Sequence, residues 1–231
     1  RKEVNDRMRP FRNGNGSPYD LIMPKFKKVA ESRHQDNYYV PGTYTHFNKD
    51  CASDVLHLAD EGFKQISVEP VVAAPTEPYA IREEDVPELC AAYDRLAKEI
   101  LSRRRKGNGF NFFHFMIDLT GGPCIYKRIS GCGAGTEYLA VTPWGDLYPC
   151  HQFVGNTDFL LGNVYDGIQN KELQDRFKLC NVYARESCKD CFAKFWCSGG
   201  CSANAYHFSG DINGSYEIGC ELQRNRLECA I

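Results

Sequence analysis

Hydrophobic positions in the first half of the chain follow two alternating periodicities. Amphipathic segments, in which apolar side chains recur on one helical face and charged ones on the other, predict helices. Short runs rich in aromatic and β-branched residues predict strands. The helical segments are 18–33, 49–62 and 83–105, and the strand-like runs are 38–45, 63–72 and 110–119. Because short connections join these alternating segments, we predict right-handed crossovers and a parallel sheet, as in part of an α/β layer or barrel.

The pattern changes after about residue 120, where turn residues become frequent. The sequence TEYLAVTPWGDLYPC predicts a β-hairpin that turns between Pro143 and Asp146 and returns to end on Cys150. Gly145 suits a backbone position with positive φ in that turn, because glycine has no Cβ to clash there. This turn would bring the returning strand back toward the start of the segment.

Cysteines in the second half have the spacing of metal ligands. The seven in question are Cys132, Cys150, Cys188, Cys191, Cys197, Cys201 and Cys220. Thiolates bind zinc and iron-sulfur clusters, and each closed site takes about four of them. The first 120 residues hold only Cys51 and Cys90, in helical patterns where a buried inert thiol is usual, which disfavours a disulfide framework spread over the whole chain.

We predict an α/β domain at 1–120 and a metal-binding domain at 121–231, with a helix at 170–179.

Charge and hydropathy exclude several classes of partner. The net charge of −2 gives no overall attraction to nucleic acid or to an anionic membrane. The sequence has no apolar run of the ~18 residues that a transmembrane helix needs, and no signal peptide at its start. We expect a cytoplasmic protein that binds neither nucleic acid nor membrane. The polar opening segment begins with Arg1 rather than Met, so we also expect a fragment of a longer protein.

The cysteine spacing resembles the seven-cysteine SPASM domain of radical S-adenosylmethionine (SAM) enzymes. The pattern runs from Cys132 through Gly145 to Cys150, continues as CxxCxxxxxCxxxC at 188–201 and ends at Cys220. The surrounding segments GTEYLAVTPWGDLYPCHQFVG and CKDCFAKFWCSGGCSANAYHFSGDIN are similar to the SCIFF peptide maturases, which put thioether bridges into small cysteine-rich peptides. RMRPFRNGNGSPYD and GFKQISVEPVVA resemble the later part of their barrel. The resemblance covers essentially the whole chain and implies the C-terminal part of a partial (β/α)6 radical SAM barrel followed by a SPASM domain.

The resemblance also implies cofactors and partners. Such enzymes use SAM and a first [4Fe-4S] cluster to make a 5′-deoxyadenosyl radical, which abstracts a hydrogen from the peptide. A substrate cysteine thiol then bonds to the carbon radical, and an auxiliary cluster takes up the surplus electron. The implied cofactors are two auxiliary [4Fe-4S] clusters in this chain, with SAM and a third [4Fe-4S] cluster in the full-length protein. The implied partners are a small cysteine-rich precursor peptide and a low-potential electron donor.

By matching positions, the resemblance divides the seven cysteines between two clusters. It assigns Cys132, Cys150 and Cys201 to auxiliary cluster I. It assigns Cys188, Cys191, Cys197 and Cys220 to auxiliary cluster II. Cluster I then has one iron without a ligand from the motif, open to a substrate thiolate or to a further cysteine, Cys124 or Cys180.

The chain departs from the family at the SAM site. The CxxxCxxC signature of the first cluster is absent: Cys197 and Cys201 have its first spacing, but Asn204 occupies the third position. Pro41 stands where the family tends to have a basic residue. Glu69, at the end of the second strand, is the candidate cofactor contact, although a simple strand-terminal carboxylate is an equal interpretation. We expect the fragment alone to be inactive in SAM cleavage.

Two other functions fit the residues. One is a zinc-binding structural or interaction module, because CxxC pairs also bind zinc. The other is a different radical SAM/SPASM enzyme, such as a sulfatase-maturase-like protein. The thioether-forming maturase is favoured because the segments around the cysteines resemble that family. Its chemistry needs redox-active iron, which zinc cannot supply.

Overall fold

The structure is a computed structural model that describes residues 1–117 and 129–231. The chain forms two units. The first comprises Arg1–Val71, Ile81–Ile117 and Asn225–Ile231, and the second comprises Val72–Ala80 and Asp118–Arg224. The division predicted at residue 120 stays a prediction. No helix in the described part of the chain combines the length and the apolar character needed to cross a membrane.

A parallel sheet of the order β1-β2-β3 forms the centre of the first unit, as the alternating pattern predicts. Its strands are β1 (Val40–Tyr44), β2 (Gln65–Pro70) and β3 (Asn111–Phe112). The third strand is shorter than the predicted 110–119. A 3-10 turn at Phe113–Phe115 follows it directly, and the turn packs Phe115 edge-on against Phe112 with ring centroids 5.0 Å apart. Residues 118 and 119 of the predicted strand lie outside the described residues.

The predicted helices of the first unit are confirmed. This unit contains α1 (Lys2–Met8), α2 (Pro18–Ser32), α3 (Cys51–Asp60) and α4 (Val86–Arg105). Local chemistry explains where they begin: the Ser17 hydroxyl accepts a hydrogen bond from the Asp20 N–H, and the Asp50 carboxylate accepts one from the Ser53 N–H. Arginines fill the last turn of α4, where they complement the helix dipole.

The core of the first unit lies where α3 and α4 contact each other and α3 contacts the sheet. Its fully buried side chains include Tyr44, Val55, Ile66, Leu89, Tyr93 and Leu96. The Tyr44 and Tyr93 hydroxyls lie 2.8 Å apart, so each buried polar group has a partner. Cys51 is also buried here, and burial raises the pKa of its thiol to about 12, as expected of an inert core cysteine.

The second unit is built on a small antiparallel sheet of the order β4-β5-β6-β7. Its strands are β4 (Ala140–Val141), β5 (Asp146–Tyr148), β6 (Gly162–Asn163) and β7 (Gly167–Ile168). The first two form the predicted hairpin. The other two were not predicted, because two-residue strands are too short to show an alternating pattern.

Helices follow the sheet in the chain. They are α5 (Lys171–Lys178), α6 (Lys194–Cys197), α7 (Ser202–Ser209) and α8 (Glu217–Ala230). Only α5 was predicted, from the segment 170–179. The core beside this sheet consists of aromatic and aliphatic side chains, with Phe153 and Phe159 stacked at 4.2 Å between ring centroids. Cys150 belongs to this core, so its position is set by the packing around it.

Candidate metal centres

The first group of thiols is formed by Cys132, Cys150 and Cys201. Cys150 follows β5 and is buried. The segments that carry the other two lie side by side, since a Cβ on Gly131 would lie 3.2 Å from the carbonyl oxygen of Gly200. Burial raises the pKa of the Cys150 thiol, and the charges of Cys201 and Cys132 raise it further. Burial likewise raises the pKa of Cys201, to which Cys132 adds. The Cys150 thiol therefore lies near enough to Cys132 and Cys201 for their charges to affect its ionisation.

A second group comprises Cys188, Cys191, Cys197 and Cys220. Cys188 ends a 3-10 turn, and its carbonyl accepts a hydrogen bond of 3.3 Å from the Cys191 N–H. Cys197 ends α6, and Cys220 lies in the first turn of α8. Burial raises the pKa of Cys220 to about 12, and Glu217, Cys197 and Cys188 contribute in the same direction. Burial also raises the pKa of Cys188, and Cys191 adds to that effect.

These thiols fit an iron-sulfur cluster as a donor set. Several partly buried thiols in mutual electrostatic contact resist ionisation, and a bound metal reverses that because a coordinating thiol is deprotonated outright. Thiolates are the ligands that iron-sulfur clusters require. Among residues 1–117 and 129–231, no three cysteine sulfurs lie within 4.8 Å of one another. The sulfurs around a single tetrahedral zinc ion would lie ~3.8 Å apart. The sulfurs around an iron-sulfur cluster lie farther apart, because iron and sulfide occupy the space between them.

The turn between Cys197 and Cys201 has left-handed backbone geometry. Ser198, Gly199 and Gly200 have φ of 59°, 85° and 75°. A Cβ on Gly199 would lie 3.3 Å from Nε of Arg185. The two glycines therefore allow a tight turn that a side chain would obstruct.

Gly145 confirms the turn predicted for the hairpin. Its φ is 92°, and its N–H donates to the Thr142 carbonyl oxygen at 2.9 Å. The Thr142 N–H in turn donates to the Asp146 carbonyl oxygen at 3.0 Å. This geometry returns the chain along β5 to Cys150.

The two cysteines predicted as possible extra ligands differ in their status. Cys124 lies outside the described residues. Cys180 is buried, and its sulfur lies 3.2 Å from Nη2 of Arg185, 3.4 Å from Oγ of Ser202 and 3.3 Å from the Ile212 carbonyl oxygen. The Cys180 thiol thus already has three polar protein neighbours.

Another group of side chains of the kinds that bind metals lies in the first unit, where it forms part of an ion-pair network. His46, Glu84 and Asp85 are the described residues whose ligand atoms lie within 4.8 Å of one another. His46 Nδ1 is 2.8 Å from Asp85 Oδ2, and the Lys49 ammonium is 3.1 Å from Asp85 Oδ1. A lysine at this distance neutralises the carboxylate that a cation would need.

Glu69, the last residue but one of β2, has an exposed side chain and pairs with Thr43 of β1. The Ser67 hydroxyl donates to Glu69 Oε1 at 3.2 Å, and His114 Nε2 lies 3.4 Å from the same hydroxyl. On the other side of the ring, His114 Nδ1 is 3.3 Å from Nη1 of Arg226. Sequence reasoning missed His114 and Arg226, which are separated by 112 residues and join only in the folded chain.

The His114 ring is neutral and has one favoured tautomer. Burial, together with the nearby Arg226 charge, lowers its pKa to about 3. A guanidinium only donates, so Nδ1 accepts from Arg226 and Nε2 carries the proton toward Ser67. This arrangement orients the Ser67 hydroxyl toward Glu69.

We expect His114 to make the first unit less stable as the pH falls. The folded-state pKa lies below the unfolded value of about 6.5, so at mildly acidic pH the unfolded chain binds a proton at this histidine and the folded chain does not. The free energy of unfolding should therefore drop by about 1.4 kcal/mol between roughly pH 7.5 and 5.5 because of this residue. Urea denaturation followed by far-ultraviolet circular dichroism measures the drop.

The variant His114→Asn should lose that component of the pH dependence. His34→Asn, which changes an exposed histidine in the same unit, is the matched control and should keep it. Equal pH dependence in the wild-type chain and in His114→Asn would contradict the assignment of a neutral buried ring.

Comparisons with known proteins match part of the second unit to a cluster-binding domain. The SPASM family, an iron-sulfur cluster-binding domain, matches residues 132–192. No curated protein matches the chain. Three similar solved structures are of anSMEcpe, an anaerobic sulfatase-maturating enzyme: the hexahistidine-tagged form with bound AdoMet (TM-score 0.61, 18% identity), the native form with bound AdoMet (0.59, 17%), and the native form with AdoMet and a Kp18Cys peptide (0.58, 18%).

The similarity extends over most of this chain but only part of those enzymes. Each of the three covers 90% of this chain, and this chain covers 56%, 59% and 60% of theirs. The predicted fold class, a mixed α/β chain with a SPASM domain, is confirmed. Residues 132–192 thus match the SPASM iron-sulfur cluster-binding domain, and the chain shares the fold of radical SAM/SPASM enzyme structures.

Proposed function

We propose that this chain is the auxiliary-cluster portion of a radical SAM enzyme that forms cysteine-derived thioether cross-links in a ribosomally made peptide. Cluster I would be held by Cys132, Cys150 and Cys201. Cluster II would be held by Cys188, Cys191, Cys197 and Cys220. The observation that carries the proposal is the match of residues 132–192 to the SPASM iron-sulfur cluster-binding domain, and the mutual effect of thiols within each set on their pKa values is consistent with it.

The chain's own residues would do three things at these sites. The seven thiolates would bind the irons, and the left-handed turn at Ser198 to Gly200 would let the backbone approach closely. The aromatic core around Phe153 would keep water from Cys150. When bound, the clusters would supply one-electron redox chemistry, which a zinc site cannot.

We propose a small cysteine-rich peptide as the partner and a low-potential protein as the electron donor. The anSMEcpe structures with Kp18Cys and Cp18Cys peptides support a peptide partner. The three-cysteine set of cluster I leaves one iron position for a substrate thiolate, an open position of the kind that catalytic metal sites keep. In the longer protein, a further [4Fe-4S] cluster would act with SAM, for which Glu69 is the candidate contact in this chain.

A sulfatase-maturase-like function is the second candidate, because the similar structures belong to such an enzyme. Peptide mass and thiol alkylation together distinguish the two candidates, because oxidation of an alcohol side chain to an aldehyde also removes two hydrogens but no thiol. Joining a thiol sulfur to a carbon removes one hydrogen from each, so a thioether cross-link lowers the peptide mass by two hydrogens and removes one alkylatable thiol. The longer protein incubated with SAM, reductant and a cysteine-rich peptide should give that product. Oxidation of a residue without a cross-link would favour the second candidate.

Metal analysis of the anaerobically purified chain tests the cluster assignment. We expect a brown protein with broad visible absorbance and about eight irons per chain, because the proposal places two four-iron clusters in it. A colourless protein with stoichiometric zinc would overturn the proposal and favour a structural zinc module.

A further inference from the structure

Arg185 is a buried cation in the second unit. Its side chain is 3% exposed. It donates to the Ile212 carbonyl oxygen at 2.7 Å, to the Ser202 hydroxyl at 3.2 Å and to the Gly214 carbonyl oxygen. It also donates to the Cys180 sulfur at 3.2 Å. Since a guanidinium keeps its proton at every accessible pH, a full positive charge is fixed at this position.

The partners of Arg185 do not neutralise that charge. All four acceptors are carbonyl oxygens, a hydroxyl and a thiol. Among the described residues, no carboxylate forms an ion pair with it within 4.0 Å. Burying a charge is unfavourable in free energy unless an opposite charge lies nearby, so we expect an anion close to Arg185.

The guanidinium lies beside segments that carry both groups of thiols. Arg185 lies three residues before Cys188. Its Nε lies against Gly199 in the turn between Cys197 and Cys201, and its Nη2 is 3.2 Å from Oγ of Ser202, which follows Cys201 in the chain. Cys188 belongs to one group and Cys201 to the other, so one cation lies close to segments of both.

We propose that Arg185 is the counter-cation of both iron-sulfur sites and raises the reduction potential of the clusters they hold. Clusters ligated by thiolates are anionic, and reduction adds a further negative charge that a fixed cation stabilises. The Cys180 thiol then helps to orient the guanidinium. This inference rests on the proposed function, since it requires clusters at the two thiol groups.

Reduction potentials test the role of Arg185. The wild-type chain, Arg185→Gln and Arg176→Gln would be purified anaerobically, their iron measured and their clusters titrated by spectroscopic redox titration. Glutamine can still donate to the carbonyl oxygens but carries no charge. In Arg185→Gln we expect both cluster potentials to fall, one of them by about 59 mV, which is a tenfold change in its oxidised-to-reduced ratio. Arg176 is exposed on α5 in the same unit, so Arg176→Gln should leave both potentials unchanged.

The possible results separate this inference from the proposed function. A wild-type chain without iron would overturn both. If the wild-type chain binds clusters but their oxidised-to-reduced ratios change by less than about threefold in Arg185→Gln, only the role of Arg185 is overturned.

If Arg185→Gln fails to fold, the same titration is done on Arg185→Lys instead. Lysine keeps the charge as a single point donor but loses the planar fork. We expect its potentials to stay near the wild-type values while a chelator removes iron faster. A fall of about tenfold in the ratio for Arg185→Lys would overturn the proposal, because the charge is retained.

Discussion

Replacing Cys132, Cys150 or Cys201 by serine is expected to remove roughly half of the iron from the anaerobically purified chain. Serine at Cys188 or Cys220 should remove the other half. The reason is that the two groups of thiols interact within themselves, so the loss of one ligand should open one cluster and spare the other. Iron and sulfide analysis of each variant measures the effect.

The double variant and a control sharpen this prediction. Cys150→Ser combined with Cys188→Ser should remove nearly all the iron, because it opens one cluster in each group. Cys229→Ser should lose none, since that thiol lies in the first unit beside Asp94. If any single substitution removed all the iron, the seven cysteines would form one shared site instead of two.

Gly145→Ala is expected to destabilise the second unit by about 2–4 kcal/mol. At a φ of 92°, any side chain is strained by about 1 kcal/mol, and crowding adds to that. A Cβ would lie 2.9 Å from Cγ2 of Val164 and 3.1 Å from Oδ1 of Asn163. The Asn163 side-chain amide donates a hydrogen bond of 3.0 Å to the Asp146 carboxylate across the sheet. Displacing the Asn163 side chain would therefore also weaken the hairpin that leads to Cys150.

Gly155→Ala is the matched control for this substitution. Gly155 has nearly the same φ, 90°, but a Cβ there would meet no atom within 4 Å. It should therefore cost only the common strain of about 1 kcal/mol. Urea denaturation followed by tryptophan fluorescence compares the two variants, because both tryptophans, Trp144 and Trp196, lie in the second unit. Equal losses would show that crowding at Gly145 is unimportant.

Segments with a local signal were predicted well. Helices α2, α3 and α4 combine a long apolar face with polar or charged side chains at their ends, and those interactions act within a few residues. Helices α6, α7 and α8 have a weak local pattern, because α6 and α7 are short and Gly219 and Cys220 interrupt the first turn of α8. The third strand was overestimated because its apolar run continues into a turn, where Phe115 packs back on Phe112.

The sequence by itself determined which thiols are candidate ligands and where the hairpin turns at Gly145. Cysteine spacing and Gly145 are local properties, because ligand types and positive φ depend on residue identity and short separations. Only the tertiary structure decided what surrounds those residues. Arg185 lies beside Cys180 and against the Cys197 to Cys201 turn, and His114 meets Arg226 across 112 residues. A buried cation needs partners brought together by packing over long separations, and no local pattern of charge or hydropathy encodes which ones they are.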